Sequence, residues 1–240
     1  AYLHLALDGN ITSPGVKHLL IDEMQDYSPI QYKVIQKLYP CRKTILGDAS
    51  QSVNPYGSST ADMIRKPFTI GEIMKLCKSY RSTFEITDFS QKIQTNHELE
   101  PIIRHGEPPA ILRFEDVKQE ILGIFSIISS FKKSGYTSLG IVCKTERELS
   151  ESLRVHTGDI HFLSNQSSAF MKGIIVTSSH MAKGLEFDEV IVPYVNGKNY
   201  NSAIDKSMLY VAVTRAMHRL TLTYNGRPSE FIPASSDQNF

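Results

Sequence analysis

The feature that most constrains this chain is an apolar run that passes directly into carboxylates, Leu19 to Asp26. Three consecutive aliphatic residues, Leu19 to Ile21, predict a buried strand of a parallel sheet. In open α/β sheets, ligands bind beyond the carboxyl ends of such strands, so Asp22 and Glu23 are candidate ligand-site residues. Asp22 could hold Mg²⁺ while Glu23 accepts a proton from the water that attacks a nucleotide. An ordinary acidic turn is the alternative.

Composition excludes several classes of protein. Hydrophobic residues make up 41% and charged residues 21% of the 240 residues, as in ordinary globular proteins. The formal net charge is +1, so any contact with nucleic acid must be made by a local channel. Three separated cysteines without a CxxC pair argue against zinc or disulfides and for the cytoplasm. The longest apolar run, 121–131, is too short and too interrupted for a bilayer span, so we expect no membrane contact.

The first part of the chain predicts a strand, a helix and a second strand. Ser28 and Gln31 have the spacing of a capping box around Pro29, which suits the first helical position. The helix is predicted to bury one apolar face, formed by Ile30, Val34, Ile35 and Leu38. The next strand, 43–46, ends in the polar loop 47–52, and this order is typical of a parallel sheet.

A second domain is predicted to begin after Gly71, which gives domains 1–71 and 72–240. Ser82 and Glu85 also have capping-box spacing, which would place Arg81 just before the amino end of a helix, where anions are favoured. Further strands and helices are predicted at 110–114, 116–133, 139–143, 146–156, 190–193 and 220–224.

Two later segments carry further candidate residues. The strand that begins at Ile174 delivers hydroxyls, a histidine, a lysine, a glycine and Glu186 to its end. In the last helix, Ser202 and Asp205 have capping spacing, and Arg215 falls on the apolar stripe. An unpaired guanidinium there would be costly, so Arg215 is expected to have an anionic partner.

Together these loops supply what phosphoryl transfer to water requires: a metal ligand, a base, a neutral amide and positive charge. They also resemble the motifs of superfamily 1 helicases of the UvrD/Rep class, in the family's order. The similar segments are Asp22–Asp26 for motif II, Gly47–Ser52 for motif III, Tyr80–Thr83 for motif IV, His180–Phe187 for motif V and Leu209–Ala216 for motif VI.

The resemblance implies an α/β protein of RecA-like P-loop NTPase fold, with parallel sheets flanked by helices. It implies a partial first RecA-like domain and a complete second one, in an ATP-dependent enzyme that moves on single-stranded DNA. Asp22 would bind Mg²⁺, Glu23 would activate water, and Gln51 would couple the γ-phosphate of ATP to the nucleic-acid track. Arg81 and Arg215 would act as arginine fingers.

The same resemblance implies two further groups of binding residues. Glu186 would bond the nucleotide ribose, and Gly184 would allow close approach of the backbone. The implied nucleic-acid contacts are Tyr56, Ser178, Ser179, His180 and Lys183.

The chain departs from the family pattern in ways that resemble HelD-type helicases of Gram-positive bacteria. Tyr56–Ser58 stands where the family usually has an aromatic residue and an arginine, and no large insertion separates motifs IV and V. HelD-type helicases act on RNA polymerase, so this resemblance implies polymerase as a partner.

The sequence has no Gly-Lys-Thr or Gly-Lys-Ser loop to cradle phosphates. We therefore expect a fragment that lacks an amino-terminal part of the same chain and hydrolyses no ATP alone. Two other readings stay open: a non-catalytic helicase-fold module that docks RNA polymerase, and the motor half of a helicase-nuclease.

Overall fold

The structure is a computed structural model that describes residues 12–53, 68, 71–145, 160–163, 172–233 and 238–239. The chain divides into two compact units, Ala1–Leu76 and Cys77–Phe240, which are described separately below. None of the helices in the described ranges combines the length and the apolar character that a bilayer crossing needs. The predicted helix at 146–156 lies outside the described residues.

The first unit contains the predicted strand, helix and strand: β1 (His18–Ile21), α1 (Pro29–Leu38) and β2 (Arg42–Ile45). The two strands pair in parallel, from His18 beside Arg42 to Ile21 beside Ile45. Short 3-10 turns follow each strand, at Met24–Asp26 and Ala49–Gln51. Both loops that carry candidate residues therefore leave the same edge of a parallel pair.

Helix α1 begins as predicted but buries a different face. Both hydrogen bonds of the capping box are present: the Ser28 side chain accepts the Gln31 N–H, and the Gln31 side chain accepts the Ser28 N–H. The predicted apolar face is wrong at its first position, because Ile30 is 62% exposed. Tyr32 is the buried residue of the helix, and Ile35 packs against the same cluster.

The second unit is a three-layer α/β structure. Its elements are β3 (Lys78–Ser79), α2 (Phe84–Ile93), β4 (Glu100–Pro101), β5 (Ala110–Phe114), α3 (Val117–Phe131), β6 (Ser138–Cys143), β7 (Ile160–Phe162), β8 (Gly173–Ser178), β9 (Phe187–Val192), α4 (Ala203–Val213), β10 (Ala216–Asn225) and β11 (Gln238–Asn239). The main sheet has the order β11-β5-β10-β9-β6-β8-β7, and the pairs described are all parallel. It thus comprises six strands and the two-residue edge strand β11, while β3 and β4 form a separate parallel pair.

Helices cover both faces of the main sheet because successive strand residues point to opposite sides. Along β8, Ile175 packs with α2 and α4, whereas Ile174 and Val176 pack with α3. Nearly continuous apolar strands such as β6 are typical of a parallel sheet buried on both faces. The sequence prediction of an α/β fold with parallel sheets flanked by helices is confirmed.

In the second unit, capping-box spacing placed one helix start correctly and one wrongly. Ser202 and Asp205 form the predicted capping box of α4. The predicted box of Ser82 and Glu85 is wrong, because Thr83 caps α2 by accepting from the N–H of Ile86. The Ser82 hydroxyl instead donates to the Ala216 carbonyl, at 2.6 Å.

Candidate functional site

The first candidate group is the acidic turn that follows β1. Asp22 is exposed, and its Oδ1 accepts the backbone N–H of Glu23 at 2.8 Å. Glu23 has φ 52° and ψ 50°, the left-handed conformation, which is uncommon for a non-glycine residue. Holding it there costs roughly 1 to 3 kcal/mol, and such strain is often found at ligand sites. The strand edge therefore presents two carboxylates from a tightly constrained turn.

A chain of three hydrogen bonds joins Glu23 to Gln51 through the buried side chain of Gln25. The Gln25 amide donates to Glu23 Oε2 at 2.6 Å, and its Oε1 accepts the N–H of Asp48 at 3.2 Å. The Gln51 amide donates to Asp48 Oδ2 at 2.9 Å. Gln25 is 0% exposed. The side chain of Gln25 thus joins the loop after β1 to the backbone of the loop after β2.

Gly47 makes this connection sterically feasible. Its φ is +155°, and an added Cβ would lie 2.5 Å from Gln25 Oε1 and 2.6 Å from the Met24 nitrogen. Real Cβ atoms do not approach backbone so closely, so a larger residue would displace the acidic turn. Glycine is required here by the close approach of the two loops.

Tyr32 supports the same turn from α1. Its hydroxyl donates to the Met24 carbonyl at 2.7 Å. Burial, together with the neighbouring Tyr27 and Asp26, raises the pKa of Tyr32 to about 12. Tyr32 is therefore a neutral hydrogen-bond donor that fixes the backbone of the turn.

The second candidate group lies at the amino ends of β9 and β10. Glu186 directly precedes β9 and Arg215 directly precedes β10, and the two strands are neighbours. The N–H of Phe187 donates to the Arg215 carbonyl at 3.0 Å, which holds the two strand starts together. The sequence prediction that Glu186 lies at the carboxyl end of its preceding strand is wrong, because the loop crosses to the opposite edge before β9.

Arg81 joins this group through an ion pair. Its Nε lies 2.5 Å from Glu186 Oε1, and the side chains are 35% and 42% exposed. The Ser82 contact with Ala216 anchors the same loop beside the start of β10. Three distant segments of sequence therefore bring Arg81, Glu186 and Arg215 to one edge of the sheet.

Arg215 is buried, as the sequence predicted, with 1% exposure. Its guanidinium donates to the carbonyls of Val211 and Leu185 and to the Thr214 hydroxyl. Carbonyl and hydroxyl oxygens thus accept hydrogen bonds from the guanidinium, for which the sequence predicted an anionic partner.

Arg104 is a residue of this group that sequence reasoning missed. Its Nη2 donates to the Arg81 carbonyl and, at 3.2 Å, to the Met217 carbonyl. It therefore braces the Arg81 loop against β10. A lone arginine in a polar linker gave no signal of this contact.

The predicted nucleic-acid residues of motif V lie at the other edge of the sheet, after β8. Ser178 ends the strand and is buried, and His180 is exposed. Ser179 is 0% exposed and its hydroxyl donates to the Cys143 carbonyl. The Ser179 hydroxyl is therefore used within the fold, and its nucleic-acid contact stays a prediction.

Some of the remaining candidate residues lie in the part of the chain that the structure describes, and one lies outside it. Gly184 has φ 74°, a left-handed conformation that favours glycine, and Lys183 is partly exposed in the same turn. Tyr56 lies outside the described residues. Tyr80, which the prediction left without a role, is 69% exposed beside Arg81, and its ring is available for stacking.

Two segments of the chain match models of helicase domains. Residues 11–66 match the model of the UvrD/REP helicase N-terminal domain. Residues 173–223 match the model of the UvrD-like helicase C-terminal domain. The first match contains Asp22, Glu23 and Gln51, and the second contains Glu186 and Arg215.

A viral relative and a bacterial structure agree with these matches. The chain is 26% identical over 241 residues to "Putative ATP-dependent DNA helicase R568" of Acanthamoeba polyphaga mimivirus. The alignment covers 85% of this chain and 34% of the viral protein, so the chain spans about a third of that relative's length. The C-terminal domain of a possible DNA helicase from Lactobacillus plantarum WCFS1 superposes with a TM-score of 0.55 at 28% identity. That superposition covers 64% of this chain and 92% of the bacterial domain.

These findings support a UvrD/Rep-class helicase and show a RecA-like α/β fold.

Proposed function

We propose that this chain forms part of an ATP-dependent motor that moves on single-stranded DNA. The observation that carries the proposal is the convergence of Arg81, Glu186 and Arg215 at the amino ends of β9 and β10. Phosphoryl transfer is catalysed mainly by positioning and by neutralising charge, and guanidinium groups suit that task. The matching UvrD-like family models support the same assignment.

Asp22 is the residue that we assign to Mg²⁺. Mg²⁺ is usually bound by one or two carboxylates together with substrate phosphates and water, and an exposed carboxylate at a strand end fits that requirement. No group of three or more His, Cys, Asp or Glu side chains that could hold a metal occurs in the described ranges. When bound, the ion would neutralise charge on the phosphates.

Glu23 and Gln51 act on the attacking water and the γ-phosphate in this proposal. Glu23 accepts the proton of the water, and the constrained turn holds its backbone during that step. Gln51 contributes a neutral amide that senses the phosphate. Arg81 and Arg215 supply positive charge to the transition state, and Glu186 and Gly184 hold the ribose side of the nucleotide.

Ion pairing gives Arg81 a defined starting position. Its partner Glu186 is itself assigned to the nucleotide, so binding of ATP exchanges an internal pair for contacts with the ligand. Tyr80 lies beside Arg81, and its exposed ring suits stacking on the adenine of ATP. Nucleic acid is assigned to the opposite edge of the sheet, where Ser178, His180 and Lys183 follow β8, and to Tyr56.

ATP hydrolysis is expected only in the full-length protein. The 240 residues contain no phosphate-cradling glycine-lysine loop, so we propose that they bind ATP weakly and hydrolyse none alone. Phosphate release should be undetectable from the isolated chain and stimulated by single-stranded DNA in the full-length protein. Turnover by the isolated chain within tenfold of the full-length protein would refute this division.

We further propose a HelD-type helicase that remodels RNA polymerase in the bacterial cytoplasm. The HelD-type assignment rests on the segment Tyr56–Ser58 and on the absence of a large insertion between motifs IV and V. The cytoplasm is proposed from the three separated cysteines. Titration with labelled single-stranded DNA at two salt concentrations tests the motor against a docking module. Motor binding should weaken as salt rises because phosphate contacts release counterions. Absence of binding, with co-purification of RNA polymerase, would favour the module.

A further inference from the structure

Gln25 occupies a position that the proposed mechanism does not yet use. It links Glu23, the proposed base, to Asp48 and through it to Gln51, the proposed phosphate sensor. The three heavy-atom distances, 2.6, 3.2 and 2.9 Å, are all within hydrogen-bonding range.

Chemistry fixes the orientation of the Gln25 amide. An ionised Glu23 carboxylate accepts hydrogen bonds but donates none, and the backbone N–H of Asp48 donates but does not accept. Only one of the two amide orientations satisfies both partners, with Nε2 toward Glu23 and Oε1 toward Asp48. The amide therefore holds the two loops in one relative position.

Burial makes this link sensitive to change. A fully buried amide that loses a partner leaves a polar group without a hydrogen bond, which is energetically costly. Gly47 admits Gln25 Oε1 to a space that a Cβ would fill. The two loops therefore cannot shift independently at low cost.

We infer that Gln25 is a positioning residue that couples the conformation of Gln51 to the placement of the Glu23 carboxylate. The inference rests on the proposed function, since it assigns those two residues to catalysis. When Gln51 turns toward a γ-phosphate, Asp48 loses the donor that now occupies its Oδ2, and the loop after β2 readjusts. Through its two hydrogen bonds, Gln25 then moves the Glu23 carboxylate. The position of the proposed base therefore depends on whether Gln51 contacts a γ-phosphate.

The test uses the full-length protein and the variant Gln25→Leu, which keeps most of the side-chain volume and removes both hydrogen bonds. We expect the kcat of DNA-stimulated ATP hydrolysis to fall about tenfold. The KM for ATP should stay within about twofold, because Gln25 acts through other residues. Gln25→Met is a second variant, closer in shape to glutamine, that also removes both hydrogen bonds, and it should show the same split if Gln25→Leu fails to fold.

Ser229→Ala is the control. It removes a buried hydroxyl that donates to the Tyr200 carbonyl, outside the candidate site. We expect its kcat to stay within about twofold of wild type. An equal loss of kcat in Ser229→Ala and Gln25→Leu would mean that loss of any buried hydrogen bond slows hydrolysis, which would overturn the inference.

A double-mutant cycle with Gln51→Ala separates coupling from general damage. In the Gln51→Ala background, Gln25→Leu should lower the kcat of DNA-stimulated ATP hydrolysis by less than about twofold further, because the link is already broken. Fully additive losses would overturn the inference. Failure of the proposed function is distinguishable: wild type would then hydrolyse no ATP, or Glu23→Gln would leave hydrolysis intact.

Discussion

The two units present their candidate side chains in contrasting ways. In the first, the acidic turn leaves the carboxyl end of β1 with Asp22 exposed to solvent, and a buried amide orients its neighbour Glu23. In the second, the guanidinium groups lie at the amino ends of β9 and β10, where Arg81 is paired with Glu186 and Arg215 is buried.

The contrast follows from how the two kinds of charge are stabilised. A carboxylate that must bind a hydrated metal is best left in water, whereas a guanidinium is weakly hydrated and can bond several carbonyls inside the protein. Substitutions in the acidic turn should therefore change chemistry more than folding. Substitutions among the arginines should change both, in proportion to burial.

The largest expected effect is on catalysis by the first unit. Glu23→Gln should lower the kcat of ATP hydrolysis by the full-length protein at least about 100-fold, because the water loses its proton acceptor. Binding of ATP should persist, since the phosphates keep their cationic partners. Phosphate release and nucleotide titration check the two expectations.

Glu115→Gln is a charge-matched control for that substitution. Glu115 is exposed and follows β5 in the second unit. Its variant should retain wild-type turnover. If Glu23→Gln behaved like Glu115→Gln, the acidic turn would be an ordinary surface feature.

The two proposed arginine fingers should differ sharply in their effect on stability. Arg215→Ala removes a buried side chain whose guanidinium donates to the Val211 and Leu185 carbonyls, and it should lower the free energy of unfolding by about 2 to 4 kcal/mol. Arg81→Ala removes a solvent-exposed ion pair and should cost about 0 to 1 kcal/mol. Urea denaturation of the 240-residue chain compares the two variants, and equal losses would remove the distinction between a buried and a surface arginine.

The close approach of the loops after β1 and β2 predicts a smaller effect at Gly47. Gly47→Ala should destabilise the first unit by about 1 to 3 kcal/mol, because its Cβ would meet Gln25 and Met24. Gly15→Ala is the control, since nothing lies within 4 Å of a Cβ there. The same denaturation experiment should place Gly15→Ala within about 0.5 kcal/mol of wild type. Similar losses for both variants would show that the two loops tolerate separation.

A pH effect is expected from Asp188, beside the second group. Burial raises the pKa of Asp188, but backbone N–H and hydroxyl donors of Thr137 and Ser138 together outweigh it and lower the pKa. A lowered folded-state pKa means stability that is present above the ordinary Asp pKa of about 4 and is lost as pH falls through the folded value. Asp188→Asn should therefore flatten the fall in the urea midpoint below about pH 4. An unchanged slope would assign the acid sensitivity to other carboxylates.

Local sequence signals predicted the ends of elements where the partners are local. The capping boxes at Ser28 and Ser202 need only residues within one turn, and both are present. Ser82 had the same spacing, but the carbonyl of Ala216 from a distant strand takes its hydroxyl, so Thr83 caps the helix. Local spacing could not reveal a competing tertiary partner.

The residue types of the candidate site were predictable, but their arrangement was not. Apolar strands that end in carboxylates pointed to Asp22 and Glu23 without knowledge of the fold. The Arg81–Glu186 pair and the brace from Arg104 depend on which strands are neighbours, which the sequence does not specify. Burial of Ser179 depends on the turn that follows β8, and hydroxyl residues alone do not predict which way they face.

The central proposal is that Asp22, Glu23, Arg81 and Arg215 take part in the hydrolysis of ATP. A structure of the full-length protein with ADP, aluminium fluoride, Mg²⁺ and single-stranded DNA tests it most directly. We expect Asp22 at the metal, Glu23 at the attacking water, and the guanidinium groups of Arg81 and Arg215 within hydrogen-bonding distance of the fluoride. A nucleotide bound away from these side chains would contradict the proposal.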